Sequence, residues 1–197
     1  MKKIFVFLFT FGLLGLNTLL AQQSAFTIEV PLTIPLGNTA DFIDQVALRG
    51  VNIQYQRFIK KTFAVGGEIG YSTLYKKEDQ KVYTEGSASL SGIQYRYQHA
   101  FPILVTGTYF PIVEGSLRPY AGLGIGTIAQ DRRIDMGIFT SEKTHWQFAI
   151  RPELGVILQP SNSVGFKLGA KYNSSFATSN LDGQSNVSIN FGIVFLN

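Results

Sequence analysis

The sequence predicts an all-β protein: an eight-stranded antiparallel up-and-down transmembrane β-barrel over residues 22–197, behind a leader at residues 1–21. Three observations predict it. Apolar residues recur at every second position through eight separate segments, the period of a strand with one apolar face. The connections alternate long and short, with long ones after the first, third, fifth and seventh segments, as in a membrane barrel with short turns at one end and loops at the other. No segment beyond the leader approaches the ~20 apolar residues that a spanning helix needs.

Met1-Lys2-Lys3 supplies a positive start, Ile4 to Leu16 a short apolar core, and Ala21-Gln22-Gln23 a small residue before polar ones. This is the anatomy of a secretory signal peptide, cut after Ala21. Asn17 and Thr18 interrupt the apolar run, which disfavours an uncleaved anchor. The 197 residues less the 21 of the leader leave 176, enough for one domain. The formal charge falls from +4 to +2 when Lys2 and Lys3 leave, too little to argue for a nucleic-acid partner. Zero cysteines exclude a disulfide framework, a lipidated N-terminal Cys, thiolate catalysis and Cys-ligated zinc, and no cofactor is expected. Gly 20, Phe 16 and Tyr 9 against a single Trp suit strands that approach closely and carry interfacial aromatics.

The first strand alternates Phe26, Ile28, Val30, Leu32, Ile34 and Leu36 with Thr27, Glu29, Pro31, Thr33 and Pro35. Its two prolines lack ladder donors and predict early fraying or a bulge. After a loop from Gly37 to Leu48, Val51, Ile53 and Tyr55 alternate with Asn52, Gln54 and Gln56 on the second strand, which ends near Ile59. Lys60-Lys61-Thr62 turns into the third, Phe63 to Tyr75. A charged loop from Lys76 to Gly92 is expected next, then a fourth strand from Ile93 to Tyr109, broken near His99 to Pro102. Val113-Glu114-Gly115-Ser116 turns into the fifth, Tyr120 to Thr127. A second charged loop, Asp131 to Thr144, precedes the sixth, Trp146 to Leu158, and Pro160 to Ser163 turns into the seventh, Val164 to Tyr172. A loop from Ser174 to Ser185 leads to the eighth, where Val187, Ile189, Phe191, Ile193 and Phe195 share one face and Ser188, Asn190, Gly192 and Val194 the other. A soluble sandwich or lipocalin-like barrel would turn the apolar parity inward and leave a Gly-rich outer face; the membrane barrel turns it to lipid.

The terminal run Asn190-Phe191-Gly192-Ile193-Val194-Phe195 resembles the β-signal of bacterial outer-membrane barrels. That resemblance implies that the barrel-assembly machinery reads Asn190, Gly192, Ile193 and Phe195. With the leader end Ala21-Gln22-Gln23, the strand Arg118-Pro119-Tyr120-Ala121-Gly122-Leu123-Gly124-Ile125-Gly126 and the strand Arg151-Pro152-Glu153-Leu154-Gly155, nearly the whole mature chain resembles the small eight-stranded outer-membrane barrels of the OmpA/OmpX type, in the versions found in Bacteroidetes-type proteins. The resemblance implies a place in the cell outer membrane, among its lipid, with both termini on the periplasmic side. It implies no particular activity.

The parity assigned to the lumen carries Glu29, Glu68, Arg96, Arg151, Glu153, Lys167 and Lys171. In a narrow interior these charges should pair, Glu68 and Glu153 with Arg96, Arg151 or the lysines, and an eight-stranded barrel is just wide enough for them to plug it. Gly122, Gly124 and Gly126 have the spacing of one strand face, with no helix after them, and are expected to make room for bulky lumen neighbours instead of cradling a phosphate. His99 and His145 are the only histidines. Lipid enzymes among eight-stranded outer-membrane barrels set a His and a Ser two residues apart, whereas His99 has Tyr97 and Phe101 at that spacing, so no enzyme is expected. Both histidines read as interfacial, and Tyr55, Tyr71, Tyr75, Tyr95, Tyr97, Tyr109, Tyr172 and Trp146 as girdle aromatics.

Of the exposed loops, Asp131 to Phe139 has the most character, its Ile134, Ile138 and Phe139 leaving room for an extracellular ligand or partner. The expected function is a non-enzymatic outer-membrane barrel with a charge-plugged lumen and a structural or loop-binding role. A narrow channel or transporter for small solutes and a lipid-modifying enzyme are the alternatives.

Overall fold

The computed structural model describes residues 23–85, 88–137, 139–161, 163–178 and 181–197, so the expected leader and Ile138 lie outside the described residues. Eight strands, β1 (Ser24–Leu36), β2 (Gly50–Lys60), β3 (Phe63–Glu85), β4 (Ala88–Tyr109), β5 (Leu117–Met136), β6 (Phe139–Leu158), β7 (Val164–Ser175) and β8 (Gln184–Leu196), pair antiparallel in chain order. β8 returns to β1 from Ala25↔Leu196 to Leu36↔Ser185, closing the barrel and leaving no free edge. One short helix, α1 (Asn38–Phe42), follows β1.

The period-two pattern now has a direction. Thr27, Glu29, Asn52, Gln54, Arg151, Lys171 and Asn190 are buried inside, while Phe26, Ile53, Ile69, Ile103, Leu123, Leu168 and Phe191 face outward and are exposed. Val105 and Leu154, at 71% and 66% exposed, lie in the middle of this outer belt. An apolar surface that wraps the whole barrel exceeds by far the patches that a water-soluble monomer exposes, and it matches the lipid-facing band of a membrane barrel. Tyr71, Tyr109, Tyr172 and Trp146 stand on the outward face, as girdle residues do.

The strands on one side run further than the alternation predicts. The expected loop at 76–92 is largely ladder, from Lys76↔Arg96 to Glu85↔Ala88, and that at 131–144 is ladder from Asp131↔Thr144 to Met136↔Phe139. Above the lipid belt neither face need be apolar, so these segments lose the alternation while keeping the backbone pairing. The fourth strand is also continuous through His99 to Pro102. Pro102 keeps its place against β5, opposite Ile128, and interrupts only the β3 ladder, which skips from Ile69↔Ile103 to Ser72↔Ala100 with its register unchanged.

The prolines of β1 act in the same one-sided way. Thr33 donates its N–H to Ala47 O at 2.8 Å, so the odd-numbered amides of β1 point toward the β2 side. Pro31 and Pro35 therefore lack donors only there: the β1–β2 ladder stops at Glu29↔Asn52, while the β8 ladder runs through Pro31↔Asn190 and Pro35↔Asn186. The start of β1 and the last residue meet at the other end of the barrel, where Ser24 N donates to Asn197 O at 2.8 Å and Asn197 N to Ser24 O at 3.0 Å.

Candidate functional site

The inward face is filled in layers from the end where Ser24 and Asn197 meet. The lowest is mainly apolar: Ala25, Ala64, Phe110, Tyr120, Ile157 and Val194 pack together, backed by Phe58, Val113 and Leu196, with Arg118 opposite Ile157 at its edge. Above it six charges meet. Lys171 of β7 reaches Glu29 of β1 at 2.5 Å, Glu68 of β3 at 3.2 Å and Glu153 of β6 at 3.8 Å. Lys167, two inward positions lower with Gly169 between, reaches Glu29 at 2.6 Å and Glu153 at 2.9 Å, and Arg151 reaches Glu68 at 2.6 Å. Lys167 Nζ to Glu29 Oε1 and Arg151 Nη2 to Glu68 Oε1 are ion pairs without hydrogen-bond geometry.

Three acids and three bases make the layer neutral. Every one of these side chains is at least 94% removed from solvent, so each charge depends on the others for the stabilisation that water would have supplied. Two neutral groups complete it. Tyr120 donates its O–H to Glu153 Oε1 at 2.6 Å and lays its ring 4.9 Å below Lys167 Nζ, which also donates to Gln54 Oε1 at 3.1 Å. Glycines supply the room: a Cβ on Gly192 would stand 2.7 Å from Glu29 Cγ and 2.8 Å from Ile28 O, and one on Gly169 would stand 2.4 Å from the Tyr120 hydroxyl.

Above the charges an amide chain crosses the lumen. Gln98 Nε2 donates to Gln130 Oε1 at 2.9 Å, Gln130 Nε2 to Ser175 Oγ at 3.1 Å, and Ser175 Oγ to Gln147 Oε1 at 2.8 Å. α1 lies over this chain, with Thr39 Oγ1 donating to Gln184 Oε1 at 2.9 Å and Ile43 fully buried. Small cavities among the described residues include one of about 40 Å³ above the charged layer beside Gln98, Gln130 and Arg151, and one of about 20 Å³ below it, lined in part by Gln56, Tyr120 and Lys167. Each has room for a few waters at most.

Six of the seven charges singled out from the sequence thus come together, and Arg96 does not. It shares their parity but stands opposite Lys76 and Ile134, far above the Glu68↔Leu104 level, because β3 and β4 continue past the lipid belt. There its guanidinium bonds to Gln94 Oε1 at 2.9 Å and Phe42 O at 3.2 Å, with Glu78 at 3.8 Å. Tyr120 and the inward glutamines were not singled out. Their parity signals them, but a neutral side chain in a lumen carries no charge to balance and so no sequence cue of pairing. His99 stands on the outward face in a girdle cluster, its Nδ1 shared by the Tyr71 hydroxyl at 2.8 Å and Thr73 Oγ1 at 3.0 Å, its ring stacked between Tyr71 and Tyr97. Of the expected Gly122-Gly124-Gly126 face, Gly124 lies closest to lumen side chains, its Cβ position 3.2 Å from Leu104 Cδ1 and 3.7 Å from Arg151.

No protein-family model matches this sequence, and no curated protein does. Solved structures match along nearly its whole length. The attachment invasion locus protein Ail of Yersinia pestis, in complex with the heparin analogue sucrose octasulfate, is 13% identical over 89% of this chain and 99% of its own, with a TM-score of 0.54. Neisserial surface protein A is 12% identical over 87% of this chain and 96% of its own, with a TM-score of 0.55. The fold is that of the small eight-stranded outer-membrane β-barrels. That fold and the continuous apolar belt together make the chain an integral outer-membrane protein. Barrels of this kind keep their termini and short turns on the periplasmic side, so the end with Ser24 and Asn197 is called periplasmic below, and the end with α1 and the long hairpins extracellular.

Proposed function

We propose that this outer-membrane barrel is a closed, non-enzymatic protein whose activity is binding at its extracellular end. The observation that carries the reading is the neutral six-charge layer, which fills the lumen between an apolar layer below and an amide chain with its helical cap above. An ion entering this lumen would have to break buried pairs, each loss leaving a charge uncompensated at a cost of about 3–5 kcal/mol. Strands β3 to β6 meanwhile project past the belt as two long hairpins, a length of chain that barrel closure does not need. The same reading holds that residues 1–21 are removed as a leader, leaving the barrel domain 22–197, and that Asn190, Gly192, Ile193 and Phe195 are read by the assembly machinery.

Planar-bilayer recording tests it. The purified barrel should show only rare, small openings. Steady ohmic conductance in the unaltered protein would replace this reading with that of a narrow channel. The alternative of lipid modification is tested by comparing envelope lipids with and without the protein: an acyl pattern that changes, and that His99→Ala restores, would make it an enzyme.

A further inference from the structure

At the extracellular mouth the same inward face carries a second group of charges, arranged in the opposite way. Arg132 of β5 and Lys143 of β6 are direct cross-strand partners. Like charges so placed cost stability. One residue along, on the outward face of the same hairpin, Arg133 stands opposite Glu142 and holds Asp135 at 2.9 Å. A hairpin that neutralises its outer face and leaves its inner face doubly basic is not arranged for stability alone.

Arg132 is also held by neutral partners. It donates to Gln98 Oε1 at 3.2 Å, to Gln184 Oε1 and, at 3.5 Å, to Asn38 O, all of them neutral oxygens. Among the described residues no carboxylate lies within ion-pair distance of it. Its guanidinium is half-buried and lies 4.5 Å from the centre of the Phe42 ring, and burial holds its pKa below the ordinary arginine value although Asp182 opposes that shift. These groups border a cavity of about 540 Å³, within the range of small-molecule sites. Phe42, Ile134, Met136, Phe139 and Leu181 give it apolar walls, Arg132, Lys143 and His145 a basic side, and no carboxylate lines it among the described residues.

We propose that this mouth cavity binds a small organic anion with an apolar body, a carboxylate on a ring or short chain. The carboxylate takes the place between Arg132 and Lys143, where the opposed cations are relieved by one anion, and the body lies against Phe42, Met136 and Phe139. Phe42 serves both ends of the ligand, since it fixes the guanidinium by stacking and presents apolar surface to the cavity. The proposal rests on the reading that the lumen is closed and binding is extracellular; it adds the ligand's chemistry.

Titration calorimetry on the full mature barrel in lipid nanodiscs, with empty nanodiscs subtracted, tests it using naphthalene-2-carboxylate as probe. Saturable binding is expected, weakened at least about tenfold by Arg132→Gln with Lys143→Gln and unchanged by Arg133→Gln on the outer face. Lys143→Gln alone, which keeps every hydrogen bond of Arg132, should give an intermediate loss, and heat-dependent gel migration shows which variants are folded. The neutral alcohol naphthalene-2-methanol should bind at least about tenfold more weakly, and inorganic phosphate should not displace the probe. Absence of saturable binding, unaltered affinity in the folded double variant, equal affinity for the alcohol, or displacement by phosphate would each overturn the proposal. Conductance decides the closed lumen separately, so a silent barrel that ignores the probe removes the ligand and leaves the fold's closure standing.

Discussion

The mid-barrel layer and the extracellular mouth lie on one inward face, set by one alternation of residues, yet they handle charge in opposite ways. At mid-barrel three carboxylates and three cations are almost fully buried and share contacts so densely that Lys171 touches all three acids. At the mouth Arg132 and Lys143 oppose each other, and Arg132 rests on neutral oxygens. The difference follows solvent. A charge enclosed by membrane and protein must find its partner within the barrel, whereas a charge at the rim is partly hydrated and can be left for something that arrives from outside. On the proposed reading, charge balance separates the part of the lumen that holds the barrel shut from the part free to bind.

The sharpest way to break this comparison is to unbalance the middle. Lys171→Met leaves three buried carboxylates sharing two cations and should destabilise the barrel by about 3–5 kcal/mol, measured by urea unfolding in lipid vesicles. Gly192→Ala should cost less, about 1–3 kcal/mol, because its Cβ meets the Glu29 stem and the Ile28 carbonyl and the layer must shift. If Gly192→Ala slowed assembly in cells while leaving in vitro stability unchanged, its role would lie in recognition of the terminal strand and not in housing Glu29.

At the mouth the sign should reverse. Lys143→Gln removes a like-charge contact, so it should leave stability unchanged or raise it by up to about 1 kcal/mol in the same unfolding assay. The smallest effect belongs to the hairpin's outer face. Hydrogen bonds from Arg133 hold the Asp135 carboxyl below the usual aspartate range. A depressed folded-state value contributes stability above the unfolded pKa of about 3.9 and loses it as the pH falls through the folded value. Arg133→Ala should therefore shift the unfolding midpoint slightly at neutral pH, with the shift vanishing in strong acid.

Much of this architecture was legible in the sequence because lipid and lumen impose opposite demands on alternate residues. Val187 to Phe195 and Trp146 to Leu158 show the pattern plainly, and the structure places all eight strands at the expected positions in the chain. The alternation faded where the lipid did. Lys76 to Glu85 and Asp131 to Met136 are strand without an apolar outward face, so the hairpins read as loops. The inward charges could be grouped by parity but not by height, which is why Arg96 shares a face with Glu68 without sharing its layer. Height depends on register between strands, which runs unchanged from Phe63↔Tyr109 to Glu78↔Gln94 and so carries Arg96 above the Glu68↔Leu104 level. The opposition of Arg132 and Lys143 was hidden for the same reason, since both lay within a segment that carried no ladder in the sequence reading.

The central claim, that the mid-barrel charges stabilise one another as a single neutral layer, is tested most directly by a double-mutant cycle in lipid vesicles on Glu68→Gln and Lys171→Met. The account predicts strong coupling: Lys171→Met alone costs about 3–5 kcal/mol, and adding Glu68→Gln recovers at least about 1 kcal/mol of it by removing one stranded carboxylate. Losses that add to within about 0.5 kcal/mol would contradict it, because they would mean that Glu68 and Lys171 act independently and that no shared layer exists.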